Sequence, residues 1–150
     1  MTEIVFRKMV EADIDHVVSV ENASFSSPWA RQSFCEELEN QLAYYLLATS
    51  GDAVIGYVGM WIIIDEAHIT NVAVLPSHRR LGIGEAMMQE ALVVAKSKGA
   101  CAMTLEVRAS NLAAKNLYEK LGFESSGVRK NYYEDTQEDA IIMWLRDINK

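Results

Sequence analysis

Apolar residues recur along this chain with two alternating periods, and the changes of period mark out its elements. Residues 4–7 read as a short strand. Asp13 then opens a helical pattern in which Ile14, Val17, Val18 and Phe25 share a face. Ser27-Pro28-Trp29 interrupts it and starts a second short helix to about Leu38, with Pro28 tolerable near a helix start. Three β-branched or aromatic stretches follow at 43–48, 54–64 and 68–75, joined by turns at 50–52 and 65–66. From Ile83 the residues Ala86, Met87, Ala91, Val94 and Ala95 return at helical spacing, and Lys98-Gly99 closes that helix. Residues 101–107 are strand-like, and Asn111 caps a helix to Lys120. Leu121-Gly122-Phe123 begins another strand, 134–139 is a polar loop, and 140–145 is the last strand. The predicted order is βααβββαβαββ, an α/β (α+β) domain with a mixed sheet. Its strand–helix–strand unit, from His68 to Val107, should be parallel with a right-handed crossover.

Bulk composition narrows the class. The chain has 150 residues, half of them hydrophobic and 23% charged, which fits one globular domain over residues 1–150. A net charge of −7 disfavours direct nucleic-acid binding and favours a basic partner. Cys35 and Cys101 are too few and too far apart for a disulfide framework, and read as two reduced, buried thiols. His16, His68 and His78 lack ligand-spaced partners, so no metal is expected. The first residues are charged where a signal peptide is apolar, and the run 53–64 is too short to span a bilayer. The expectation is a soluble cytoplasmic protein with no membrane partner.

The densest chemical signal is Asn71-Val72-Ala73-Val74-Leu75-Pro76-Ser77-His78-Arg79-Arg80-Leu81-Gly82-Ile83-Gly84. A strand ends, a turn with two arginines and two glycines follows, and a long helix begins. The first helical turn leaves backbone N–H groups unpaired at a positive dipole end, so it suits a diphosphate. A Walker loop needs Gly-Lys-Ser/Thr, but Glu85 and Ala86 follow Gly84. A dinucleotide fingerprint needs glycine where Met87 stands. From spacing alone, a tight turn with solvated arginines remains open.

The second signal joins Glu106, late in its strand, to Tyr118, on the inward stripe of the next helix. General acid–base chemistry needs a proton acceptor and a group that gives a proton or a hydrogen bond. A carboxylate and a phenol are the right types, although a solvated strand end and a packed tyrosine are the plainer alternatives.

Arg79-Arg80-Leu81-Gly82-Ile83-Gly84 resembles the Gln/Arg-x-x-Gly-x-Gly/Ala signature of the GNAT acetyltransferase superfamily. That resemblance implies a mixed central sheet with a splayed parallel strand pair and flanking helices. It implies acetyl-CoA as co-substrate, with its pyrophosphate on Arg79, Arg80, Leu81, Gly82, Ile83, Gly84 and Glu85. The pantetheine arm would pair with the backbone of Val72, Ala73 and Val74. Glu85 stands where many relatives carry a base, an arrangement that costs affinity unless its side chain points away. The runs Leu-Glu-Val-Arg-Ala-Ser-Asn (105–111), Asn-Leu-Tyr-Glu-Lys-Leu-Gly-Phe (116–123), Arg-Lys-Asn-Tyr-Tyr (129–133) and Glu-Asp-Ala-Ile-Ile-Met (138–143) are similar to the branch that acetylates the N-terminal alanine of a small-subunit ribosomal protein. On that likeness Glu106 is the proton acceptor, Tyr118 the donor to the thiolate, and Asn111 a CoA contact as well as a helix cap. The acceptor is then a basic protein N-terminus, attacking directly while both substrates are bound. Trp29 and Tyr132 are candidate substrate contacts, whereas Phe25 is expected to staple its helix to the core. The rival functions are acetylation of a small-molecule or lysine amine and a non-catalytic acyl-CoA-binding module.

Overall fold

The structure is a computed structural model that describes residues 3–25, 28–79 and 81–149. Strand β1 is Ile4–Lys8, and a 3-10 turn at Glu11–Asp13 leads into α1, Ile14–Ser24. Helix α2 is Arg31–Glu39, followed by β2 (Ala43–Ser50), β3 (Ala53–Ile63) and β4 (Glu66–Val74). Helix α3 spans Ile83–Ser97, β5 Ala102–Arg108 and α4 Leu112–Lys120; β6 is Glu124–Tyr133 and β7 is Glu138–Arg146. The order is the one the periodicity predicts.

Among the described residues seven strands form one sheet, ordered β1-β2-β3-β4-β5-β7-β6, in which β4 and β5 pair parallel and the other neighbours antiparallel. Its central strands are apolar on both faces, because each face carries a helical layer. Leu46, Ala48 and Val58 join the α3 and α4 layer with Met87, Met88, Ala91 and Met103. Tyr45, Leu47 and Tyr57 join the α1 and α2 layer with Ile14, Val17, Val20 and Phe34. Helices α1 and α2 lie against β2, β3 and β4. The same face of β5 and β7, with Glu106, Ile142 and Trp144, is only half-buried.

Several expected boundaries move. Helix α2 starts after Ala30, and Phe25 is extended, past the end of α1 and 38% exposed, so it is no core staple. Cys35 and Cys101 are free but half-buried. Ser27 lies outside the described residues. Leu121-Gly122 belongs to the end of α4 and not to β6: Gly122 has φ 104°, and the N–H of Phe123 reaches the Tyr118 carbonyl at 2.9 Å. That cap, a glycine in the left-handed region followed by an apolar residue folded back on the helix, packs Phe123 against the Tyr118 ring at 5.9 Å. The 134–139 loop shortens to a turn, with Glu138 and Asp139 already in β7.

Candidate active site

Strands β4 and β5 pair at three positions, Glu66 with Ala102, Ala67 with Met103 and His68 with Thr104, and then part. The cause lies in β4. Ile69 is opposite Met60 and Asn71 opposite Gly59, leaving Thr70 as an extra residue. Ala67, Ile69, Val72 and Val74 pack on the α3 layer, and the odd step from 69 to 72 records the bulge. A bulge bends its strand and strengthens its twist. Across from it Gly59 is required by space, since a Cβ there would sit 2.5 Å from the Tyr45 ring. Val72, Ala73 and Val74 thus lie on β4 beyond the last pairing with β5.

At the open end, a 3-10 turn at Pro76–His78 precedes α3. Its N-cap, Gly82, has φ 77°, a left-handed conformation that costs other residues about 1–2 kcal/mol. The first helical bond is from the Ala86 N–H to the Gly82 carbonyl at 3.1 Å, and among the described residues no acceptor meets the N–H of Ile83, Gly84 or Glu85. A Cβ on Gly84 would meet Leu117 at 3.5 Å, an ordinary contact, so packing does not demand glycine there. Leu81 is 68% exposed. The Arg79 Nε donates to the Val74 carbonyl at 3.0 Å, tying the turn to the end of β4. Arg80 lies outside the described residues. Glu85 turns toward α4, where its carboxylate meets Lys120 Nζ at 3.0 Å, so the acid anticipated beside a pyrophosphate has its own cation.

Glu106 and Tyr118 stand on opposite faces of the parted strands. Leu105 and Val107 pack in the α3 layer with Tyr118, which puts Glu106 on the other face. Glu106 is half-buried, with Oε1 3.2 Å from Arg129 Nε. Tyr132 comes to the same place because β6 bulges between Arg129 and Tyr133, where Asn131 has φ 52° and its N–H reaches the Asp139 carboxylate at 3.0 Å. Burial raises the Tyr132 phenol, and Glu106 raises it further. Tyr133 is pushed up to about 12 by burial, with the Arg108 guanidinium, 4.0 Å over its ring, opposing and Glu106 adding. Tyr118 is pushed up to about 12 as well, by burial first and by Tyr133 second. The Tyr118 hydroxyl makes no hydrogen bond among the described residues. Asn111 accepts from the Ala114 N–H at 3.2 Å, the cap its position in the sequence predicts.

Trp29 belongs to the α1 and α2 layer, 5.6 Å from Phe34, and no contact among the described residues joins it to Glu106 or Tyr132. Its backbone N–H donates to Glu21 at 2.7 Å, and the Tyr57 hydroxyl donates a short bond to the same carboxylate. Glu21 and Glu37, 1% and 8% exposed, are buried acids that sequence patterning does not single out. Nor does it single out Arg129, since nothing local marks a cation 23 positions from its partner. Among the described residues there is no cluster of metal-ligating side chains, and no helix is long and apolar enough to cross a membrane.

Known proteins agree with this geometry. The acetyltransferase (GNAT) family profile matches residues 14–123. A Bacillus subtilis protein provisionally assigned as a ribosomal protein bS18-alanine N-acetyltransferase is 46% identical over 145 residues, 96% of each chain. The ribosomal protein bS18-alanine N-acetyltransferase of Escherichia coli K12 is 34% identical over 135 residues, 89% of this chain and 90% of that one. The crystal structure of the ribosomal-protein-S18-alanine N-acetyltransferase from Escherichia coli superposes with a TM-score of 0.90 at 31% identity, over 97% of this chain and 94% of that one. A strand pair that parts before an amide-rich helix start, and relatives matched over nearly their whole length, lead to one conclusion: this chain belongs to the GNAT family of acetyl-CoA-dependent N-acetyltransferases.

Proposed function

We propose that residues 1–150 act as one catalytic domain that moves acetyl from acetyl-CoA to the N-terminal α-amine of a protein, alanine of ribosomal protein bS18 or a close counterpart. The observation that carries this is the parting of β4 and β5, with a carboxylate on one face and a phenol on the other. The whole-length likeness to enzymes of that name selects the acceptor. The amides of Ile83, Gly84 and Glu85, unpaired among the described residues, would take the pyrophosphate together with Arg79, Leu81 and Gly82, and Arg80 is assigned to the same role from the sequence alone. The free edge at Val72, Ala73 and Val74 would pair with the pantetheine arm, and Asn111 would touch the coenzyme. Trp29 and Tyr132 would flank the acceptor. A bS18 acceptor places the enzyme in the cytoplasm.

In the step itself the amine nitrogen bonds to the thioester carbon, the C–S bond breaks, and an amine proton passes to Glu106 directly or through water. An α-amine has a pKa of about 7.7–8.0, so roughly a tenth of it is already neutral at pH 7 and the base has little to do. Tyr118 faces a different balance. Handing its proton from a phenol near 12 to a thiolate near 8.5 is uphill by about 5 kcal/mol. Tyr118 therefore acts as a hydrogen-bond donor to the departing sulfur, which takes its proton from solvent afterwards. The test is thiol release from acetyl-CoA with peptides beginning Ala, Ser or Met and an internal-lysine control. Turnover on free N-termini alone is expected; turnover on lysine or polyamines, or CoA binding without turnover, would sink the assignment.

A further inference from the structure

A pocket of about 310 Å³ lies beside α2, lined by Trp29, Ser33, Glu36, Glu37, Asn40 and Trp61. Ser33, Glu36 and Glu37 sit three and four apart on one face of α2, and Asn40 follows as its C-cap. Both tryptophans are anchored by buried carboxylates. Glu37 accepts from Trp61 Nε1 at 2.8 and 3.0 Å, and also from the Tyr45 hydroxyl at 3.1 Å and the Asn40 amide at 3.2 Å. Glu21 holds the backbone of Trp29. Every one of these donors is neutral, and among the described residues the lining holds no cation; Arg31, nearby on α2, is engaged by Asp15 at 2.8 Å. The hydrogen bonds to Glu37 therefore cancel none of its charge; Lys8 and Lys98 border a second cavity that Glu37 shares, while on the tryptophan side the exposed Glu36 adds a further negative charge. Indole faces add attraction for cations.

The pocket also lies at a useful distance. Trp61 pairs with His68 and His68 with Thr104, two residues before Glu106, all on one face of the sheet. With a rise of about 3.4 Å per residue and about 4.8 Å between strands, Trp61 is roughly 12 Å from Glu106. An extended acceptor with its α-amine at Glu106 brings the side chain of its second or third residue over the pocket.

We propose that this pocket is a subsite for a cationic side chain, arginine before lysine, at the second or third residue of the acceptor's N-terminus. A planar guanidinium stacks on indole and forks to carboxylate better than an ammonium does. The proposal rests on the N-terminal acetylation reading, and the experiment separates the two. Alanine-initiated peptides carrying Arg, norleucine or Glu at position two, and separately at position three, are assayed with the wild type, Glu36→Gln and Glu36→Lys. Glu36 is exposed, so both variants should fold. At one of the two positions the Arg peptide should show a KM about tenfold below norleucine at similar kcat. That ratio should shrink in Glu36→Gln and approach one in Glu36→Lys. Equal KM for Arg, norleucine and Glu peptides, or a KM rise in Glu36→Lys that ignores peptide charge, overturns the subsite alone. Thiol release only on lysine or polyamine amines overturns the acceptor assignment and the subsite together.

Discussion

Replacing Tyr118 by Phe removes one oxygen and nothing else that the fold uses. The ring stays packed on Phe123 at 5.9 Å, and the lost hydroxyl makes no hydrogen bond among the described residues. Stability should therefore change by less than about 0.5 kcal/mol, and Tm by no more than about 2 °C. Catalysis should change more. A hydrogen bond to a charged atom contributes about 1.5–3 kcal/mol, and the thiolate is charged only as it leaves. The loss falls on the transition state alone, so kcat should drop roughly 10- to 150-fold while KM for acetyl-CoA stays put. Because burial holds the phenol near 12, it stays protonated throughout the assay range, and the variant should keep the wild-type pH profile at lower amplitude. Stopped assays of thiol release at pH 6 to 10, with CoA affinity by calorimetry, read all three quantities. An unchanged kcat, or a KM for acetyl-CoA that rises in step with the loss, would refute the role.

Glu106→Gln should lower kcat about 10²–10⁴-fold at pH 7 and recover partly as pH passes the amine's own pKa near 8; a loss independent of pH would count against a base. Gly82→Ala puts a side chain at φ 77°, costs about 1–2 kcal/mol, lowers Tm by about 2–8 °C and weakens CoA binding, whereas Gly84→Ala should raise Tm and leave CoA affinity within about twofold. Equal effects on calorimetry would undo that distinction. Asp13, held below the usual carboxylate range first by its bonds from Arg7, both 2.8 Å, contributes stability that is full above its unfolded pKa near 3.9 and lost as pH falls through the lower folded value. Asp13→Asn should cost about 1–2 kcal/mol at pH 7, discounted because Arg7 is 45% exposed, and cost progressively less below pH 4 in denaturant melts. Ile64, 91% exposed at φ 57°, holds a β-branched side chain in the left-handed region, so Ile64→Asn should raise Tm by a few degrees; a lower Tm would show that the turn needs isoleucine.

Element order was legible because local signals decide it. β-Branched and aromatic runs bounded by turns mark β2 to β4, the 3.6-residue stripe of Met87, Ala91 and Ala95 marks α3, and Asn111 caps α4 as its residue type suggests. Gly82 was legible only as a glycine of the turn; that it is the left-handed N-cap at φ 77° depends on the backbone path into α3. The parting of β4 and β5 was expected only from family likeness, because an extra residue at Thr70 is invisible until its partners are known. Arg129 beside Glu106, and the paired acids Glu21 and Glu37 under Tyr57, Tyr45 and Trp61, depend on contacts far apart in the chain, so no window of sequence contains them. Phe25 was misplaced by extending a helical stripe one residue too far: its N–H still closes α1 on the Glu21 carbonyl at 3.1 Å, but its own backbone is already extended.

Thr70 makes chain length, as much as chemistry, a determinant of this enzyme. With one residue fewer between Ile69 and Val72, β4 would zip regularly along β3 and could continue its ladder with β5, giving a tighter sheet and no cleft. Substitutions at this point should therefore be far better tolerated than deletions, and stabilising redesigns that regularise strand pairing would select against turnover. The irregularity is a defect only by the standards of a sheet.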